Sequence, residues 1–334
     1  MAHMIDETTG RAAIAYMGET PWHTLGKRMS AGASTDDWRV EAGLDYTVER
    51  SPVQYQNGAL HVYAGRNVLY RSDTGAPLSI VSDDYHEVQP AQVMEFFRDI
   101  TEAGGFTLET AGALSGGKRI WALARVNDGA EVVGHDVVRP YLLLATSYDA
   151  SMATTAKFTA VRVVCHNTIS MAVPQYNPAT GRASAAEKDK TEGAVVDSVR
   201  VLHRERFDPA QVKLQLGVVT SAFDRFLINS RLLAEKRLTP SAADLLTFDL
   251  IAPTVDPKRD PRESRGYKRI MALFGGGAKG ADIVGNDNAW AWLNAATQYV
   301  DWERGRTPDT RLNSAWFGAG DTLKSKALEL AMGA

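Results

Sequence analysis

Two different periodicities divide this chain. Short alternating runs of β-forming residues fill its first half, and a three-to-four spacing of apolar residues fills its second. Val53-Gln54-Tyr55 and Leu60-His61-Val62-Tyr63 flank Gln56-Asn57-Gly58-Ala59, and Asn-Gly between such runs predicts a hairpin. A second hairpin is predicted from Phe106-Thr107-Leu108-Glu109-Thr110 to residues 119–126 through Ser115-Gly116-Gly117. Further strands are expected over 137–145 and 155–165, the latter rich in Thr, Val and Phe. One helix interrupts them after Pro90, where Val93, Phe96, Phe97 and Ile100 share a face that needs cover.

Beyond residue 173 the pattern changes. Residues 174–194 are rich in Pro, Gly, small and charged side chains, and read as an exposed loop or linker. Asp208-Pro209 then signals a helix start, with Val212, Leu216, Val219, Phe223, Phe226 and Leu227 along one face. Thr239-Pro240 repeats the signal. Asn286, Asp287 or Asn288 can cap a helix holding Trp292, Ala296, Tyr299 and Val300, and a last helix is expected over about 321–332. The expected organisation is therefore an antiparallel α+β region over 1–173, a linker over 174–194 and a helical region over 195–334. The fold class is α+β, a hairpin-rich antiparallel sheet with a packed helix followed by mostly helical chain.

Composition narrows the function classes. The chain has 334 residues, 44% of them hydrophobic, which is ample for a core. A single cysteine excludes an internal disulfide framework and suits a reducing cytoplasm. No apolar run reaches the ~18 residues of a membrane span. The first residues carry neither the basic nor the apolar segment of a secretion signal. Formal charge is −3, with the acidic excess in the first half and a slight basic excess after residue 187. Any contact with a polyanion must come from a local patch.

The best such patch holds Lys258, Arg259, Arg262, Arg265, Lys268 and Arg269, with Tyr267 inside it and Asp260 and Glu263 between. Phosphates need several cations on one accessible surface, and an interleaved aromatic suits an unstacked base. The same residues can equally form a solvated loop of local ion pairs. Arg162 shares a strand face with Phe158, Ala160 and His166. If solvated, that face can hold a phosphate and stack a base; otherwise Arg162 pairs with a carboxylate. Cys165 and His166 are adjacent and point to opposite faces of a strand, so they make no nucleophile–base pair without a turn. Cys165 sits with Val163, Val161 and Thr159 on a core-like face, although a helix start at Asn167 or Thr168 can activate a nearby thiol.

The remaining constellations carry less. Gly275-Gly276-Gly277-Ala278-Lys279-Gly280 lacks the Gly-Lys-Ser/Thr spacing of a phosphate loop and reads as a connector. Trp290, Trp292, Trp302 and Trp316 suit packing, whereas Trp22 stands in a loop-like segment. Asp83, Asp84 and His86 diverge along an extended segment and make no metal site. No metal and no cofactor is expected.

Several segments stand in a recognisable order. They are Met1-Ala2-His3, Pro21-Trp22-His23-Thr24-Leu25-Gly26, Asp84-Tyr85-His86-Glu87-Val88-Gln89-Pro90, Gly116-Gly117-Lys118-Arg119-Ile120-Trp121, Arg162-Val163-Val164-Cys165-His166-Asn167-Thr168, and the stretches 291–301 and 323–328. Together they resemble the phage/plasmid-like family known as domain of unknown function 932, over nearly the whole chain. The chain departs from that pattern at Gly285-Asn286-Asp287-Asn288, where Gly-Thr is expected before the tryptophan, and His166 occupies a variable position. The resemblance implies a cytoplasmic protein of mobile elements with no assigned reaction. Such elements often carry oligomeric proteins that bind or anneal single-stranded DNA. The expectation is accordingly a self-associating single-stranded-DNA-binding protein, with no membrane contact and no nucleotide hydrolysis. A Cys165-dependent enzyme assisted by His86 or His203, or a host-interaction module anchored by tryptophans, are the alternatives.

Overall fold

The computed structural model describes residues 5–18, 24–102, 106–162, 167–170, 176–177, 182–183, 198–215, 219–305, 311, 314–316 and 318–333. The strands are β1 (Ile14–Tyr16), β2 (Lys27–Arg28), β3 (Val48–Asn57), β4 (Ala59–Arg71), β5 (Pro77–Ser82), β6 (Thr107–Leu114), β7 (Arg119–Arg125), β8 (Ala130–Glu131), β9 (Val137–Ser147), β10 (Thr154–Arg162), β11 (Asn167–Ser170), β12 (Tyr176–Asn177), β13 (Arg182–Ala183) and β14 (Ser198–Val201). The helices are α1 (Thr35–Glu41), α2 (Pro90–Glu102), α3 (Pro209–Gln215), α4 (Val219–Glu235), α5 (Pro240–Ile251), α6 (Arg265–Ala272), α7 (Ala281–Val284), α8 (Ala289–Gln298) and α9 (Ala319–Gly333). The class is α+β, with strands first and helices last.

Among the described residues the main sheet runs β11-β10-β9-β7-β6-β1-β2, with β14 added to β10 and β8 to β9. Its pairs are antiparallel except β1 with β2. A separate sheet, β3-β4-β5, contains the Asn57-Gly58 hairpin. Gly58 takes φ +71°, a backbone region that glycine enters without strain.

Alternation along the central strands buries both faces of the main sheet. Ile120, Ala122 and Ala124 of β7, Leu142 and Leu144 of β9, and Ala156, Phe158 and Ala160 of β10 enter the larger core. Trp121, Leu123, Tyr141, Leu143 and Ala145 enter a smaller cluster on the opposite face. The alanines leave room for bulky helix side chains. Val93, Phe96 and Phe97 of α2 are fully buried in the larger core, and so are Trp290 and Trp292 of α8. Each large apolar side chain so buried contributes about 1.5–3 kcal/mol before entropy is counted.

Helix starts follow local chemistry. Asp208 accepts from the Ala210 and Gln211 amides, Thr239 from Ala242, and Asn288 from Ala291 at 2.8 Å. Of the three candidate caps before α8, Asn288 is the one in use. Ser34 and Asp37 close a capping box on α1, a helix with one buried side chain, Trp38.

The first and second halves of the chain share the larger core. Residues 198–201, within the stretch expected to be helical, instead form β14 on β10. The open edge of β10 supplies the unpaired backbone groups that such a short segment needs. The Trp290 indole donates to buried Asp136 at 2.8 Å, and Arg231 donates to the Glu131 carbonyl at 2.8 Å.

Candidate functional site

The cationic segment divides into committed and exposed groups. Asp260 opens a short 3-10 turn over Pro261–Glu263, and Ser264 caps α6 through the Tyr267 amide at 3.1 Å. Arg262 then grips Asp244 of α5 with two bonds, Nε at 3.1 Å and Nη2 at 2.7 Å. The Tyr267 hydroxyl donates to the same carboxylate. Arg262 first, and then Tyr267, hold the Asp244 carboxyl down at about 2. Arg269 pairs with Glu303. Among the described residues no carboxylate pairs with Lys258, Arg259, Arg265 or Lys268, and all four are exposed. Arg265 and Arg304 both lie close enough to the Tyr299 phenol to oppose the rise that burial causes there. Arg304 is half-buried, and its Nη1 donates to Ser314.

Tyr267 is half-buried and packs against the core, so with its hydroxyl on Asp244 it tethers α6 to α5. This placement suits positioning of the neighbouring cations better than stacking on a base. The local ion pairs and the exposed cations, read above as alternatives, fall on different residues of the segment.

A second charged site was not legible as one. Lys157 of β10 lies on the smaller-core face, beside Thr159 and Val161, and lines a narrow cleft with Leu123, Leu143, Ala315, Trp316, Asp321 and Lys324. Its ammonium donates to both Asp321 oxygens, at 3.1 and 3.0 Å, and to the Trp316 carbonyl at 3.2 Å. Burial pushes the Lys157 amine below its ordinary value, and the Asp321 charge opposes that push. Lys324, with a side chain 1% exposed, donates to Asp301 at 2.8 Å. Arg200 of β14 also feels Asp321, though burial lowers its pKa more. These groups make a clamp between the sheet, α9 and the chain after α8. Lys157 escaped notice because strand alternation in sequence leaves open whether its face meets solvent or a distant helix.

The chain matches the model of the family described as Domain of unknown function (DUF932) over residues 77–182 and 189–316. It belongs to that family. No curated protein and no solved structure matches it. The DUF932 stretches contain four of the segments that carried the resemblance, at 84–90, 116–121, 162–168 and 291–301; those at 1–3, 21–26 and 323–328 lie outside. Both buried pairs join a residue inside the DUF932 stretches, Lys157 or Asp301, to one of α9 beyond them, Asp321 or Lys324. The long β3–β4 hairpin precedes the first DUF932 stretch, which begins with β5.

Cys165, His166 and Trp22 lie outside the described residues, as does the side chain of Arg162. The solvated face considered for Arg162 is not solvated at Phe158 and Ala160, which are 3% and 1% exposed. Helices cover that side of β10, so Phe158 is no stacking platform. On the other face, Thr159 and Val161 line the cleft. His86 and His203 do meet, through backbone: the His86 amide donates to the His203 carbonyl at 2.5 Å. The His203 ring stacks on Tyr85 at 4.4 Å, with its nitrogens 2.9 Å from the Met152 carbonyl and 3.2 Å from that of His86. Trp290 and Trp292 are wholly buried, which removes them as surface anchors. Gly275 and Gly276 lie in a π-turn over Leu273–Gly277, where Gly276 at φ +112° turns the chain out of α6. Asp83 accepts from Asn67, and among the described residues no group of three His, Cys, Asp or Glu could hold a metal. No described helix is long and apolar enough to cross a membrane.

Proposed function

We propose that this chain is a non-catalytic DNA-transaction protein of phages or plasmids, acting in the host cytoplasm. It binds single-stranded DNA, as an annealing or recombination accessory, and works as a homo-oligomer. The supporting observation is the division of the cationic segment: Lys258, Arg259, Arg265 and Lys268 stay exposed while Arg262 and Arg269 pair with Asp244 and Glu303. The paired groups stiffen the loop and α6, which lowers the cost of ordering the exposed cations on a phosphate backbone. Tyr267 enters as a positioning residue.

Fluorescence anisotropy with a labelled oligothymidylate across a salt series tests the reading. Each phosphate neutralised on a single strand contributes a slope of about −0.7 in log affinity against log salt, so four contacts give roughly −3. R265E/K268E should weaken binding and flatten that slope by about 1–2. Salt-insensitive binding, or a variant with wild-type affinity, excludes this surface.

A further inference from the structure

We infer that the β3–β4 hairpin is an arm that grips a second copy of this chain. β5 pairs with β4 only from Arg66 to Tyr70. Beyond that root the hairpin continues as two strands, to a tip at Gly58. Between Pro52 and Gln54 the register slips, setting Val53 against residues 63–66 and re-aiming the arm. From Pro52 to Asn57 it reaches about 17 Å.

Its surface is unusual for an exposed ribbon. Tyr55 is 51% exposed, Leu60 68%, Val62 60% and Tyr63 56%. Residues 51–65 include no Asp, Glu, Lys or Arg. Exposed strands are ordinarily protected by charge, and two strands alone are marginally stable in water. An uncharged apolar arm has nothing to offer a phosphate backbone or an acidic peptide. It fits a neutral apolar surface.

The chain carries such a surface. Ile228 and Leu232 stand one turn apart on the outer side of α4, 57% and 54% exposed. Leu60 and Val62, two apart in β4, share one face of the arm, opposite Gln56 and Gln54. Their spacing of about 7 Å along a strand is close to the spacing of about 6 Å between helix positions i and i+4. Tyr55 and His61 stack on the arm's other face, ring centroids 5.3 Å apart. On the face that meets α4, Leu60 and Val62 leave on the order of 250 Å² uncovered per arm. Two arms exchanged about a two-fold axis, counted with the surfaces they cover, come to roughly 1,000 Å², the lower bound of a specific interface. The inference uses none of the cations around α6.

Light scattering on the full chain at tens of micromolar should give the mass of two chains. L60S/V62S and, separately, I228S/L232S should each give the mass of one, with an unchanged far-UV circular dichroism spectrum showing an intact fold. R265E/K268E should keep the two-chain mass, which separates this result from the nucleic-acid reading. A photo-crosslinker at position 62, in a mixture of isotope-labelled and unlabelled chains, should join the arm of one copy to residues 219–235 of the other. A one-chain mass for the natural sequence, a two-chain mass that survives L60S/V62S, or crosslinks only within one chain overturns the inference.

Discussion

Lysine and arginine do opposite work in two parts of this molecule. Around α6 the cations face water, and even the bidentate Arg262–Asp244 pair has side chains 42% and 31% exposed. Under α9 the Lys157 and Asp321 side chains are 7% and 11% exposed. Water and salt screen the first set, so each pair there adds little to stability and each unpaired group remains available to a ligand. The second set has lost its water, so each charge relies on its partner for the interactions that burial removes. The lesson is that a count of cations in a segment does not give its surface potential. Six basic residues lie between Lys258 and Arg269, but among the described residues four of them are exposed without a carboxylate partner.

The sharpest way to break this contrast is Asp321→Ala. It strands the Lys157 ammonium in a buried site and should lower stability by about 3–5 kcal/mol, measured by urea denaturation. K157M/D321L removes both charges and should recover most of that loss, because well-packed apolar replacements of a buried pair are often neutral. A loss below about 1 kcal/mol for Asp321→Ala would place the pair with the exposed ones.

A smaller effect separates burial from pairing. His203 is half-buried against Tyr85, and that burial pushes its imidazole below the ordinary 6.5, against the pull of the Met152 and His86 carbonyls. On acidification the unfolded chain takes up this proton first. Stability attributable to His203 is therefore intact above pH 6.5 and falls as pH drops below it, by at most about 1.4 kcal/mol per pH unit. His203→Gln should flatten that slope in urea midpoints taken across the window. Asp244, held at about 2, keeps its charge throughout, so the cationic segment contributes no matching slope. The smallest effect is expected from R265E/K268E, whose melting temperature should match the natural chain even as its affinity for oligonucleotides falls. A marked loss of stability would show that these two side chains serve the fold.

Local chemistry made much of the architecture legible. Asn57-Gly58 marks the hairpin, Val93, Phe96 and Phe97 mark the buried stripe of α2, and Thr239-Pro240 starts α5 where expected. Each signal lies within a few residues of the structure it specifies. Strand β14 was not legible, because four residues carry no periodicity and their place depends on the edge of β10. Helix α1 was missed for a related reason: its Ser34–Asp37 capping box is a readable signal, but one buried tryptophan makes no apolar stripe.

The sequence by itself determined the α+β class, most helix starts, the uncharged stretch that became an arm, and the position of every cation. Only the tertiary structure decided which cations meet water. Asp321 reaches Lys157 across 164 residues, and Asp244 reaches Arg262 across 18. An ammonium or guanidinium carries the same charge in both places, but its surroundings are set by which distant element packs over it, and chain distance does not encode that packing.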